Sequence, residues 1–199
     1  MHLTPEAERD ALNLARDAIR AALCSVGTPA ECATPAQPRP VQHPELSVCA
    51  GCFVSLHDAG THRLRGCVGQ LQSEQPLWAL IPRIARACLQ DPRLHARPVA
   101  ASELPRLLIE ITLVAPPVPI AHPLAFDPLR DGIVLHVGGE SGCFLPQVAR
   151  ETGWDQQRLL ERLCEEKLSL PTDAWQRGDA RVETFATLQV GPKPFTEAT

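Results

Sequence analysis

The sequence predicts an α+β fold, a mixed or antiparallel sheet flanked by helices, on three observations. Segments with the 3.6-residue period of amphipathic helices recur along the chain. Short aliphatic runs bounded by Gly, Pro and Asp lie between them. The two kinds do not alternate regularly, as a doubly wound parallel sheet would require. With 44% apolar and 21% charged residues over 199 positions, the chain has the material for a full core, so neither a disordered nor a membrane-embedded protein is indicated. A single domain spanning residues 1–199 is expected, without an internal repeat.

The elements follow in chain order. Thr4-Pro5-Glu6 is a helix start, because Thr caps free amides, Pro is tolerated in the first turn and Glu complements the positive helix end. Ala7, Ala11, Leu14, Ala15, Ala18 and Ala22 then fall on one stripe, so a helix is predicted to run to about Gly27. Residues 28–44 shift to Pro, Ala, Thr and Gln and predict an extended connector. Cys52-Phe53-Val54-Ser55-Leu56 and Leu64 to Gly69, joined through Asp58-Ala59-Gly60, predict a hairpin. From Pro76 to Asp91-Pro92 the period is helical again, with Pro82 expected to bend it. Leu107 to Val114 reads as a central strand stopped by Pro116-Pro117, and Ile133 to Val137 as another. A short helix from Leu145 to Thr152 ends at Gly153, Asp155 caps a longer one, and Val182 to Val190 is the last strand predicted.

Composition excludes several function classes. The formal charge of −4 supplies no global field for holding nucleic acid, and three Trp, five Phe and no Tyr leave little for base stacking. Each tryptophan is expected to pack in a core. Between residues 61 and 100, however, Arg63, Arg65, Arg83, Arg86, Arg93 and Arg97 stand against Glu74 and Asp91. Six minus two leaves +4 locally, a patch suited either to an anionic ligand or to solvated helix faces. No basic segment followed by an apolar one stands at the N-terminus, and no run approaches the roughly 18 apolar residues of a membrane helix, so a cytoplasmic protein without membrane contact is expected.

Chemistry concentrates in one strand. Alternation along Leu64–Gly69 places Arg65 and Cys67 on one face, where a cation would favour thiolate over thiol, while Gly66 and Gly69 let another group approach the backbone. A nucleophilic Cys67 and a small core cysteine both fit. Glu110 interrupts the apolar run 107–114, which is costly unless the carboxylate is paired or faces a cleft. It is therefore a candidate proton carrier, a ligand anchor, or one half of an ion pair with Arg65. Cys49-Ala50-Gly51-Cys52 has dithiol or half-zinc spacing, but no second pair follows and no metal site is expected. The histidines are scattered, so no Cys–His dyad can be read, and no phosphate-loop, dinucleotide or nucleophile-elbow motif occurs.

Leu64-Arg65-Gly66-Cys67-Val68-Gly69 resembles the L-R-G-C-I-G hexapeptide of the AMMECR domain family, whose prokaryotic members are called AmmeMemoRadiSam system protein A. Phe53-Val54-Ser55-Leu56, Asp91-Pro92-Arg93-Leu94, Leu108-Ile109-Glu110-Ile111, Asp131-Gly132-Ile133-Val134-Leu135, Phe144-Leu145-Pro146-Gln147-Val148-Ala149, Trp154 and Trp175 agree in order, over roughly residues 5 to 190. The resemblance implies a larger and a smaller lobe sharing a cleft that holds the hexapeptide. It also implies a link to Memo-type and radical-SAM proteins. On it, Cys67, Arg65 and Glu110 are the catalytic candidates, and Gly66, Gly69 and Asp131 the substrate-binding ones. The expected substrate is a small molecule or a modified residue, with no cofactor. The competing reading is a non-enzymatic module binding protein or RNA through the Arg-rich region. Three departures stand out: Lys167-Leu168-Ser169-Leu170 where relatives usually have Lys-Ala-Gly-Leu, Pro82 in a usually continuous helix, and the Cys49/Cys52 pair.

Overall fold

A computed structural model describes residues 2–24, 43–94 and 96–196. The chain divides into two units, His2–Val114 with the segment from Leu188 onward, and Ala115–Thr187. The connector expected over 28–44 lies outside the described residues except for His43 and Pro44.

In the first unit Thr4 Oγ1 accepts from the Ala7 amide at 3.3 Å, opening α1 (Pro5–Cys24) where the capping residues predict. Its alanines, Ala7, Ala11, Ala15 and Ala18, are buried, and their small size lets α1 lie close to α2 (Leu77–Cys88). The hairpin forms as β1 (Gly51–Asp58) and β2 (Leu64–Gln70), and the aliphatic run as β3 (Leu107–Val114). With β8 (Thr187–Pro194) they make a four-stranded sheet ordered β2-β1-β3-β8. Cys52, Val54 and Leu56 of β1 join Ile109, Ile111 and Leu113 of β3 in one core with the buried faces of α1 and α2. The alternate positions, Phe53, Ser55 and His57 on β1 with Leu108, Glu110 and Thr112 on β3, form the sheet's other face. Helix α2 continues through Pro82. Trp78 departs from the core packing expected of it: it is 39% exposed, on the outer side of α2.

The second unit holds β4 (Val118–Pro119), β5 (Gly132–Val137), β6 (Glu140–Phe144), α3 (Pro146–Thr152), α4 (Gln156–Leu168) and β7 (Arg181–Phe185). Its sheet runs β4-β7-β5-β6 with antiparallel neighbours. Ile133, Leu135 and Val137 bury against Leu159, Leu160 and Leu163 of α4, and Trp175 lies in the same core. Gly153 ends α3 at φ 71, and the Asp155 carboxylate caps α4 by accepting from the Arg158 amide at 2.8 Å. Ser169 ends α4 in the left-handed region at φ 55. The serine there holds a conformation that costs a side-chain-bearing residue about 1 kcal/mol.

One expectation is corrected. The single last strand over 182–190 is two strands separated at Ala186, β7 in one sheet and β8 in the other. The predicted α+β class with antiparallel sheet flanked by helices stands, the strands being shared between two sheets.

Candidate functional site

The hexapeptide occupies β2, an edge strand. Its glycines explain how close it lies to its neighbours. A Cβ on Gly66 would stand 2.4 Å from the Cys88 carbonyl oxygen and 2.8 Å from the Cys88 sulfur, and one on Gly69 would enter the Phe53 ring at 2.2 Å. The space left by each missing side chain is filled, by the end of α2 and by Phe53 respectively. Together they fix Cys67 in position between them.

Cys67 is half-buried. It sits opposite Ser55 on β1, and Ser55 in turn sits opposite Glu110 on β3. The Ser55 hydroxyl donates to the Cys67 sulfur at 3.2 Å, and Gln189 Nε2 donates to Glu110 Oε2 at 2.6 Å. One row of polar side chains, Cys67, Ser55, Glu110 and Gln189, thus crosses all four strands on the face away from the helices.

The outer edge of β2 explains why that row has its geometry. The Cys67 amide donates to Asp91 Oδ2 at 3.0 Å, and Arg93 Nη2 donates to the Cys67 carbonyl at 2.8 Å. Both backbone groups of Cys67 therefore point away from β1. Cys67 and Ser55 are a non-hydrogen-bonded pair, the kind whose side chains approach most closely. Asp91 is 2% exposed and also accepts from the Arg93 amide at 3.0 Å, Nε at 3.0 Å and Nη2 at 2.7 Å. Arg93, first among several donors, holds the Asp91 carboxyl well below the usual carboxylate range. Arg93 is raised in turn, chiefly by Asp91, with Cys67 among the lesser causes. The cation that reaches Cys67 is Arg93.

Arg65 is turned to a different partner. The alternation expected to set it beside Cys67 is broken at Arg65, which has no partner where the register shifts from Leu56 opposite Gly66 to His57 opposite Leu64. Its guanidinium forks onto Glu103, Nη1 to Oε1 at 2.5 Å and Nη2 to Oε2 at 3.3 Å, with a further bond to the Arg97 carbonyl at 3.3 Å. The pair is largely buried, 19% and 23% exposed, and each partner strengthens the charged form of the other. An ion pair between Arg65 and Glu110 is therefore not what forms. Asp131 lies in the second unit, where its carboxylate accepts from the Asp127 amide at 2.9 Å just ahead of β5.

The Cys49 and Cys52 pair is split by burial. Cys49 is exposed and donates to the Glu74 carbonyl at 3.1 Å, whereas Cys52 is in the core with its thiol pushed up to about 12 by desolvation. Among the described residues no group of three or more His, Cys, Asp or Glu is placed to hold a metal ion. No helix among them is long and apolar enough to cross a membrane. Sequence reasoning missed Ser55, Asp91, Arg93 and Glu103 as parts of the site. Ser55 was open to inference as the polar position of an otherwise apolar strand.

Fold and site together define a class: a two-unit α+β protein whose larger unit carries a cysteine on an edge strand bracketed by an Asp–Arg pair. The chain belongs to the AMMECR1 family, whose model matches residues 12–190. It is 38% identical over 151 residues to a protein of Thermococcus onnurineus, covering 71% of this chain and 72% of that one. A protein of Aquifex aeolicus is 34% identical over 142 residues, covering 68% and 71%. The crystal structure of the uncharacterized protein PH0010 from Pyrococcus horikoshii superposes with a TM-score of 0.75 at 31% identity, covering 90% of this chain and 88% of that one.

Proposed function

We propose that the polar row on β2, β1 and β3 is the reactive site of a cysteine-dependent enzyme, or enzyme partner, acting on a small molecule or a modified residue. The observation that carries the reading is the alignment of Cys67, Ser55 and Glu110 in adjacent strands, with the Ser55 hydroxyl on the sulfur at 3.2 Å. The sulfur is the attacking atom. Attack on an electrophilic carbon forms an S–C bond and expels the leaving group with its bonding pair. The thiol proton passes toward Glu110 by way of a water.

Iodoacetamide alkylation at pH 7 with peptide mapping tests this. Ser55→Ala and Glu110→Gln each slow modification of Cys67 by about 3- to 10-fold. Rates equal to wild type in both variants remove the reading. The link to Memo-type and radical-SAM proteins belongs to the same proposal and rests on the family resemblance. Co-purification with a tagged protein of either kind checks it. Binding of RNA through the Arg-rich region ranks second, because three of its six arginines are already committed: Arg65 to Glu103, Arg93 to Asp91, and Arg83 to Gln70 and Gln75. RNA affinity that falls steeply with salt would restore it.

A further inference from the structure

At the turn end of the β1–β2 hairpin the larger unit contains a depression of about 530 Å³, within the range of small-molecule pockets. Leu64, Leu94 and Pro98 give it an apolar wall, and Arg63, Arg65 and Arg97 line it together with Asp58 and Glu103. Three guanidiniums against two carboxylates leave one net positive charge, which alone decides nothing. The distribution of partners does.

Both carboxylates are spent inside the protein. Asp58 Oδ1 accepts from the Gly60 amide at 3.1 Å and from the Thr61 amide and hydroxyl at 2.8 Å each, closing the hairpin turn. Glu103 holds Arg65 on both its oxygens and accepts from the Ala100 amide at 2.8 Å. Arg65 is neutralised by that fork. The guanidiniums of Arg63 and Arg97 are left with no side-chain or carbonyl partner among the described residues, beside an apolar wall. Two unpaired forks at one pocket match a dianion, because each guanidinium offers parallel N–H donors to two oxygens of the same group.

We infer that this pocket binds a small phosphomonoester, the phosphate seated between Arg63 and Arg97 and the apolar body on Leu64, Leu94 and Pro98. The inference does not rest on the thiol chemistry. Arg65 lines the pocket and stands two residues before Cys67 on β2, so a ligand longer than the pocket extends along that strand toward the sulfur.

Calorimetric titration of the full chain with phenyl phosphate is the test. Saturable binding with a Kd of about 0.1–1 mM is expected, with inorganic phosphate weaker because it has no apolar body. The Arg63→Gln/Arg97→Gln variant should bind at least about 10-fold more weakly. Both side chains are exposed and make no contact that folding needs. The corresponding double lysine variant, which keeps charge and loses the fork, should fall between the two. Cys67→Ser should retain full affinity, which keeps this test separate from that of the thiol. No detectable binding at about 20 mM overturns the inference. So does affinity unchanged in the double glutamine variant, or an equal loss in Arg86→Gln on the exposed side of α2.

Discussion

Replacing Asp91 by alanine should cost the protein about 1–4 kcal/mol, and the structure supplies each contribution. The carboxylate is 2% exposed and accepts four hydrogen bonds. Its loss leaves the Cys67 amide on an edge strand without an acceptor, worth about 1–3 kcal/mol for a buried donor that was bonded to a charged group. The ion pair with Arg93 adds less, about 0–1 kcal/mol, because that side chain is 64% exposed and water takes over its donors. Urea unfolding at pH 7 measures the sum as a shift in midpoint at constant slope. A difference below about 1 kcal/mol would show that the bracket around Cys67 is not holding the edge strand. The sign with pH follows from the same carboxyl. Its folded value is depressed, so its contribution is complete above the unfolded value of about 3.9 and disappears as pH falls toward the lower folded value. Between about pH 4 and pH 2 wild type should therefore lose more stability than Asp91→Asn, and parallel losses would refute the assignment.

Two further outcomes follow from backbone geometry. Gly66→Ala should destabilise the larger unit by at least about 2 kcal/mol in the same urea assay, since the new methyl meets the Cys88 carbonyl at 2.4 Å and a backbone oxygen cannot rotate away. Trimming the Cys88 side chain to alanine should not rescue it. Ser169→Gly should raise stability by about 0.5–1 kcal/mol, read as an increase in thermal midpoint, by relieving the left-handed φ of 55 at the end of α4. A lower midpoint would mean that the serine side chain makes a contact outweighing the strain.

How much the sequence discloses depends on whether the determining contact is local. β3 is legible to the residue because Leu107–Val114 is a continuous aliphatic run between breakers, and β1 and β2 because alternation and an Asp–Gly turn lie side by side. β6 is missed because Glu140–Phe144 is an edge strand with Ser and Gly in place of branched aliphatics, so its period is blurred. The break at Ala186 has no local marker. It is decided by which sheet each half joins. The site divides the same way. That Cys67 and Arg65 lie on one strand is legible, whereas the register shift that takes Arg65 out of the alternation is not. That Arg65 is claimed by Glu103, 38 residues away, and Cys67 by an aspartate that also reads as a helix stop, is settled only by tertiary folding.

The neighbouring places of β3 and β8 in one sheet have a consequence for biosynthesis. The chain leaves β3 at Val114, builds the whole second unit, and returns to β8 at Thr187, the Ala115 amide bonding the Ala186 carbonyl at 2.9 Å where the excursion begins and ends. A nascent chain must therefore hold β3 with one flank unpaired until the last strand emerges from the ribosome. During that interval an aliphatic strand is open to association with other chains. Rapid, autonomous collapse of residues 115–187 would shorten that exposure by bringing the two ends of the detour together.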